Sequence, residues 1–198
     1  PPRSTRKESS AASDVYKRQA LEDVDGLLHS FTALLALSRL ESGAATLTRQ
    51  PLDVADLLTN LHDLFEAVFA DKQMRLELDI AAVTGFQGDE PLLVQAVANL
   101  LENALTHASV PDSQVTLALR QTDTDILISL TDGGAGIPAE KYAEVQKRFV
   151  RLEESRSGDG TGLGLSLVAA ICRQHGGALE LSAARPGLKA TLRLPKRA

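Results

Sequence analysis

The chain has 198 residues, 43% of them hydrophobic, and a formal net charge of −5. That length suits one domain with an appendage, and that apolar share supports a packed core. An acidic balance argues against a nucleic-acid surface, which is usually basic. The single cysteine, Cys172, excludes a disulfide framework within the chain and fits a reducing compartment. No apolar run reaches the roughly 18–20 residues that a membrane span needs.

Residues 1–19 are polar and basic without periodicity, so they are expected to be a disordered or non-native tail. The run Ser10 to Gln19 resembles translated sequencing-adapter read-through. From Ala20 to Glu41 the pattern is helical: Leu21, Val24, Leu28, Phe31 and Leu35 recur at spacings of three and four. Leu27, Leu34, Leu37 and Leu40 widen this stripe, which calls for another helix to cover it. Ser42-Gly43 ends the helix. A short strand is expected over Leu47–Pro51. Asp53 caps a helix over Val54–Ala70, with Leu57, Leu58, Leu61, Leu64, Phe65 and Val68 on its buried face.

Arg75–Ile80 alternates as a strand, and Gly85–Gly88 is a second candidate. Asp89 or Glu90 opens a helix through Leu92–Thr106. Val115–Leu119 and Ile126–Leu130 alternate and predict a hairpin across Thr122–Asp125. A helix over Leu163–His175 stops at Gly176-Gly177. Cys172 falls in this apolar run and reads as a buried structural thiol. Strands over Ala178–Ser182 and Ala190–Leu194 flank Arg185-Pro186-Gly187. The fold class expected is α+β: helices on one face of a mixed, mostly antiparallel sheet, preceded by one long helix.

Two glycine clusters carry the chemistry. Asp132 to Pro138 reads Asp-Gly-Gly-Ala-Gly-Ile-Pro, and Gly158 to Leu165 reads Gly-Asp-Gly-Thr-Gly-Leu-Gly-Leu. Glycine lets backbone bend through positive φ and approach a ligand closely. A cluster leading into a helix presents free N–H groups at its positive end, which suits phosphate. Two clusters flanking the charged segment Lys141–Ser157 suggest a nucleotide site with a lid; a pair of tight turns is the plainer alternative. Asn99 and Asn103 share one face of the helix at 92–107. Asn is a poor helix-interior residue, and an Asn103 carbonyl suits Mg²⁺, a hard cation that takes few protein ligands beside phosphates. Two solvent-facing asparagines are the alternative. His107 ends the helix, where a dipole interaction is the simplest role. His29, His62 and His175 lack ligand spacing and read as structural.

Asn99 to Ala108 resembles the N box of sensor histidine kinases. Asp132–Ile137 is similar to their G1 box, Arg148–Leu152 to the F box and Gly160–Leu165 to the G2 box. Order and spacing agree over about 150 residues. The resemblance implies the Bergerat ATP-binding fold over 44–198, with 20–43 as the second helix of the dimerisation and phosphotransfer hairpin. It implies ATP and Mg²⁺ as ligands. The implied ATP-binding set is Asn99, Asn103, His107, Asp132, Gly134, Gly136, Ile137, Phe149, Arg151, Arg156, Gly160, Thr161, Gly162, Leu163, Gly164 and Leu165. Asn103 would hold Mg²⁺, and Asn103, Arg151 and Arg156 would serve catalysis. Asp132, acceptor-only when ionised, would receive the adenine amino protons. Arg151 and Arg156 would lie over the γ-phosphate, or else pair with Glu153 and Glu154 on a solvated face.

Two departures stand out. Thr106 replaces a residue that is Lys or Arg in many relatives. None of the four histidines has the phosphoacceptor motif, so its helix is expected upstream of residue 20, with any sensor and membrane segments. The implied partners are a response regulator receiver domain and a second copy through the hairpin helices. The implied setting is a cytoplasmic domain of a parent in the bacterial inner membrane. A gyrase-like or heat-shock-like ATPase, which resembles the kinases in its glycine boxes, is the second reading. Those enzymes place a Glu general base where this chain has Asn99, which cannot activate water. Glu102 lies about 100° round the helix from Asn103. A degenerate module used only for dimer contacts is the third reading, and the intact Asn103, Asp132 and G2 glycines weigh against it.

Overall fold

The computed structural model describes residues 31–40, 47–108, 112–151 and 161–196. Among these, α1 covers 31–40. Then follow β1 (Gln50–Pro51), α2 (Val54–Asp71), β2 (Arg75–Ile80), β3 (Gln87–Gly88) and α3 (Glu90–His107). The second half holds β4 (Gln114–Gln121), β5 (Asp125–Thr131), a 3₁₀ turn (Ala139–Lys141) running into α4 (Tyr142–Val145), α5 (Gly164–Gln174), β6 (Ala178–Ala183) and β7 (Leu188–Pro195). The main sheet has the order β2-β4-β5-β7-β6. Its β2–β4 pair is parallel and the other three pairs are antiparallel. The expected α+β class, with a mixed and mostly antiparallel sheet, holds.

Period-two patterning places one sheet face in the core. Val115, Leu117 and Leu119 of β4, Ile126, Ile128 and Leu130 of β5, and Leu192 and Leu194 of β7 are all buried. Their neighbours Thr116, Arg120 and Thr191 fall on the opposite face. Leu57, Leu58 and Leu61 of α2, Leu93, Val97 and Leu100 of α3, and Leu167, Val168 and Ile171 of α5 close over that apolar face. Each such side chain contributes about 1.5–3 kcal/mol when fully buried. Helix starts follow their caps. Asp53 accepts from Ala55 N and Asp56 N, and Asp89 accepts from Leu92 N. Gly176, at φ 77°, ends α5 as expected.

Three expectations change. The strand expected over Leu47–Pro51 shrinks to Gln50–Pro51, paired with β3. The Thr48 N–H is spent on Asp89 Oδ2 at 2.9 Å, so it cannot join a ladder. The strand expected from Gly85 begins at Gln87, because Gly85 takes φ 75°. The buried face expected for α2 is also too wide: Leu64 and Val68 are exposed. The helix expected over 20–41 is described only for 31–40. There Ala33, Leu37 and Leu40 are buried in the domain's own core, while Phe31 and Leu35 are exposed. Part of the stripe that called for a second helix is thus covered within this chain. The tail 1–19 lies outside the described residues.

Candidate functional site

Three pieces of backbone converge: the C-terminal half of α3, the loop after β5, and the start of α5. On α3, Asn99 is buried and its Nδ2 donates to Gln95 O at 2.8 Å. That bond turns Oδ1 away from its own helix. Asn103, one turn on, has a buried Nδ2 with no hydrogen-bond partner, the one such side-chain atom among the described residues. Burying an amide without a partner costs about 1–3 kcal/mol, so this atom wants a reason.

The reason lies at α5. A Cβ on Gly164 would sit 3.3 Å from Asn103 Nδ2, from Asn103 Oδ1 and from Asn99 Oδ1. The helix therefore begins flush against the asparagine pair, with room for little more than hydrogen. Its cap position, Leu163, supplies no side-chain hydrogen bond. The first-turn N–H groups at the positive end of α5 thus lack the usual side-chain acceptor beside an unpartnered amide. Just before it, Gly162 takes φ 70°, and a Cβ there would lie 2.9 Å from Val150 O. The Phe149 N–H donates to Gly162 O at 3.0 Å. That contact joins the F-box stretch to the G2 loop.

The third piece is held by one carboxylate. Asp132 follows β5, and its N–H donates to Leu188 O at 2.9 Å. Its Oδ1 accepts from Gly134 N at 2.8 Å and from Leu188 N at 3.3 Å. Among the described residues Oδ2 accepts no hydrogen bond, so a fixed carboxylate presents one open oxygen. A Cβ on Gly134 would lie 3.0 Å from His107 O, which packs this turn on the end of α3. The His107 imidazole is held below its ordinary value of 6.5, first by desolvation and then by the Arg151 guanidinium; Asp132 opposes both. Arg151, His107 and Asp132 thus sit within electrostatic reach of one another.

The structure brings together Asn99, Asn103, His107, Asp132, Gly134, Gly136, Phe149, Arg151, Gly162 and Gly164. Phe149 is exposed at φ 60°. Ile137 and Leu165 are half-buried, and Thr161 is exposed. Leu163 faces the core instead, its carbonyl taking Leu167 N and Ser166 Oγ, so only its backbone borders the site. Arg156, Gly160 and the expected lid from residue 152 on lie outside the described residues. Thr106 points its hydroxyl back to Glu102 O at 2.9 Å. Cys172 is fully buried, its thiol pushed up to about 12 by desolvation, which fits the structural role expected. No cluster of His, Cys, Asp and Glu suited to a metal occurs among the described residues.

Sequence reasoning missed Gly187 and Leu188. They lie where the turn from β6 enters β7, with Leu188 the first residue of β7, and both backbone groups of Leu188 bind Asp132. Gly187 takes φ 104°, and a Cβ there would fall 1.8 Å from Asp132 O. Gly136, at φ 74°, would meet Gly187 O at 2.8 Å. The Pro-Gly dipeptide signalled a turn but not its docking on the carboxylate loop.

A family model described as histidine kinase-, DNA gyrase B-, and HSP90-like ATPase matches residues 88–198. The chain belongs to that family. Within it, the likeness is to the sensor histidine kinases. A probable sensor histidine kinase of Mycobacterium tuberculosis, TcrY, is 37% identical over 164 residues, 82% of this chain and 34% of that protein. The solved structure of the mycobacterial sensor histidine kinase MprB is 29% identical, with a TM-score of 0.65, over 76% of this chain and 99% of that one. Full-length ShkA in complex with AMPPNP superposes with a TM-score of 0.79 over 92% of this chain and 38% of that one; at 24% identity it shows the shared fold. The chain spans about a third of the length of curated relatives such as TcrY and the Synechocystis kinase SasA. No helix among the described residues is long and apolar enough to cross a membrane.

Proposed function

We propose that this chain is the ATP-binding catalytic part of a sensor histidine kinase. It transfers the γ-phosphoryl group of ATP to a phosphoacceptor histidine outside the four it carries, for relay to a response regulator receiver domain. Residues 20–43 belong to the dimerisation hairpin through which two copies of the parent associate, and 44–198 are the catalytic domain. The parent is a bacterial inner-membrane protein with this domain on the cytoplasmic side.

One observation carries the reading: the buried, unpartnered amide of Asn103 against the uncapped start of α5. Rotating that amide by 180° exchanges its nitrogen and oxygen, so the same position can present the carbonyl that Mg²⁺ takes. The residues therefore fit the group. Asn103, with Asn99 beside it, would hold Mg²⁺, which supplies charge neutralisation on the phosphate oxygens. The α5 N–H groups favour the triphosphate. The open Asp132 Oδ2 accepts from the adenine amino group, and the same oxygen would repel a guanine carbonyl. Arg151 and Arg156 bring positive charge to the γ-phosphate. Asn99 weighs against hydrolysis, since an amide cannot serve as general base.

The test uses labelled Mg-ATP with the chain alone and with a separate phosphoacceptor helix pair from a sensor histidine kinase. Acid-labile phosphate should appear on the helix pair only. Label on the chain alone, or steady phosphate release without the helix pair, would overturn the proposal.

A further inference from the structure

Helices α3 and α5 lie side by side in opposite directions. Asn99 and Asn103 meet Gly164 at one end of the pair, and Asp89 meets His175 at the other. The two ends are separated by eleven residues of α5, about 16 Å of helix. At the far end the Asp89 N–H donates to His175 Nε2 at 3.1 Å, and His175 Nδ1–H donates to Ile171 O at 2.9 Å. Both ring nitrogens are committed, and the side chain is 1% exposed. This is a neutral imidazole in one tautomer. The Asp89 carboxylate takes Leu92 N through Oδ1 and Thr48 N through Oδ2. The adjoining Gln174 donates to Leu40 O at 2.6 Å, and Arg49 reaches Gln174 O at 3.4 Å.

Resting on the ATP-binding reading above, we propose that Asp89 and His175 are positioning residues that set the spacing of α3 and α5 at the nucleotide site. Thr48, Gln174 and Arg49 tie the end of α1 and the segment after it into the same clip. The buried side chains between the two helices are mainly aliphatic, and the burial that holds them is non-directional. A hydrogen bond is directional, so it fixes a register that apolar burial alone does not. Fixing one end of the helix pair therefore fixes where the α5 start stands against Asn103 at the other. Neither Asp89 nor His175 reaches the ligand. The adenine contact at Asp132 sits on the strand loop and is independent of the clip.

That independence supplies the test. Mg-ATP and adenosine are titrated by calorimetry into the parent chain, His175→Phe and His175→Gln. His175→Phe should bind Mg-ATP about tenfold more weakly and adenosine within about twofold of the parent. His175→Gln, whose amide oxygen can stand in for Nε2, should stay within about twofold for both. If His175→Phe does not fold, His175→Asn replaces it, keeping a donor for Ile171 O but losing the reach to Asp89. Equal losses for both ligands would mark general destabilisation and overturn the clip. So would parental Mg-ATP affinity in His175→Phe, or a His175→Gln as impaired as His175→Phe. A parent chain that binds no Mg-ATP refutes the proposed function instead.

Discussion

Replacing Asn103 by alanine should stabilise the unliganded protein and cripple it as a metal-nucleotide binder. The Asn103 Nδ2 is buried without a partner. Removing an unsatisfied buried amide recovers about 1–3 kcal/mol. Alanine adds up to about 0.7 kcal/mol of helix propensity over asparagine at this interior position of α3. Against these gains stands the loss of side-chain contacts with α5, where even a Cβ added to Gly164 would sit 3.3 Å from the amide. A net gain of about 1–2 kcal/mol remains. At this chain length each kcal/mol moves Tm by about 2–4 °C, so the midpoint should rise by about 2–8 °C. Binding should move the other way. On the proposed reading the site then lacks a ligand for Mg²⁺, and affinity for Mg-ATP should fall by more than about tenfold. In EDTA, with the metal removed, parent and variant should bind ATP alike. Thermal unfolding by circular dichroism reads the first effect, and calorimetry with and without Mg²⁺ reads the second. A lowered Tm together with an unchanged Mg²⁺ dependence would refute the idea that Asn103 is retained for a ligand at the expense of stability.

Asp132→Asn keeps an oxygen for Gly134 N and Leu188 N but puts an NH₂ where Oδ2 stands. A hydrogen bond to a charged group is worth about 1.5–3 kcal/mol, so ATP should bind about tenfold to a hundredfold more weakly, with or without Mg²⁺. GTP should lose less, and a parental ATP-to-GTP preference would show that Asp132 does not read the base. Gly187→Ala forces a side chain onto φ 104° with its Cβ 1.8 Å from Asp132 O, so the hairpin must move. Urea unfolding should report a loss of more than about 3 kcal/mol, and a parental midpoint would contradict this close approach. His175 has its folded pKa lowered from 6.5, first by burial, with Arg49 adding to the shift and the Ile171 carbonyl and Asp89 opposing it. The unfolded chain therefore takes the proton first as pH falls. The contribution is fully present above about pH 6.5 and is lost as pH drops through the lowered folded value. Urea midpoints in His175→Gln should flatten over that window; His107, also lowered, keeps a residual slope of the same sign. An unchanged slope would mean that His175 stays uncharged, or equally charged, in both states.

The helices were legible because their signals are local. Asp53 and Asp89 sit one residue before the first turns that they cap, and the apolar spacing of α2, α3 and α5 follows one face. The β4–β5 hairpin was legible for the same reason, with both strands and the turn in one continuous run. What was hidden depends on residues far apart. Parallel pairing of β2 with β4 joins Arg75 to Gln114, and nothing near either residue announces it. The failed strand at Leu47–Thr48 looks like a strand in sequence, and only the distant Asp89 carboxylate removes its donor. The division of α1 into a covered face at Ala33, Leu37 and Leu40 and an open one at Phe31 and Leu35 likewise needed the third dimension.

The glycine clusters show why the site was legible in outline but not in its working parts. In sequence they read as the two glycine loops of a nucleotide site, with a pair of tight turns as the plainer alternative. In the structure four of those described make room for close packing with other parts of the chain. Gly134 makes room for the end of α3, Gly162 for the Phe149–Val150 backbone, Gly164 for two asparagine amides, and Gly136 for Gly187. Gly133 is different: a Cβ there would meet nothing closer than 3.8 Å. Close packing of backbone on backbone is what brings a helix start, an amide pair and a carboxylate to one place without intervening side chains. A ligand that needs all three can then reach them together. The sequence pattern reports the absence of side chains, and the absence has two causes that only contact distances separate. Gly164 belongs to both: a methyl group there would press on Asn103, and it would do so at the point where α5 turns its free N–H groups outward.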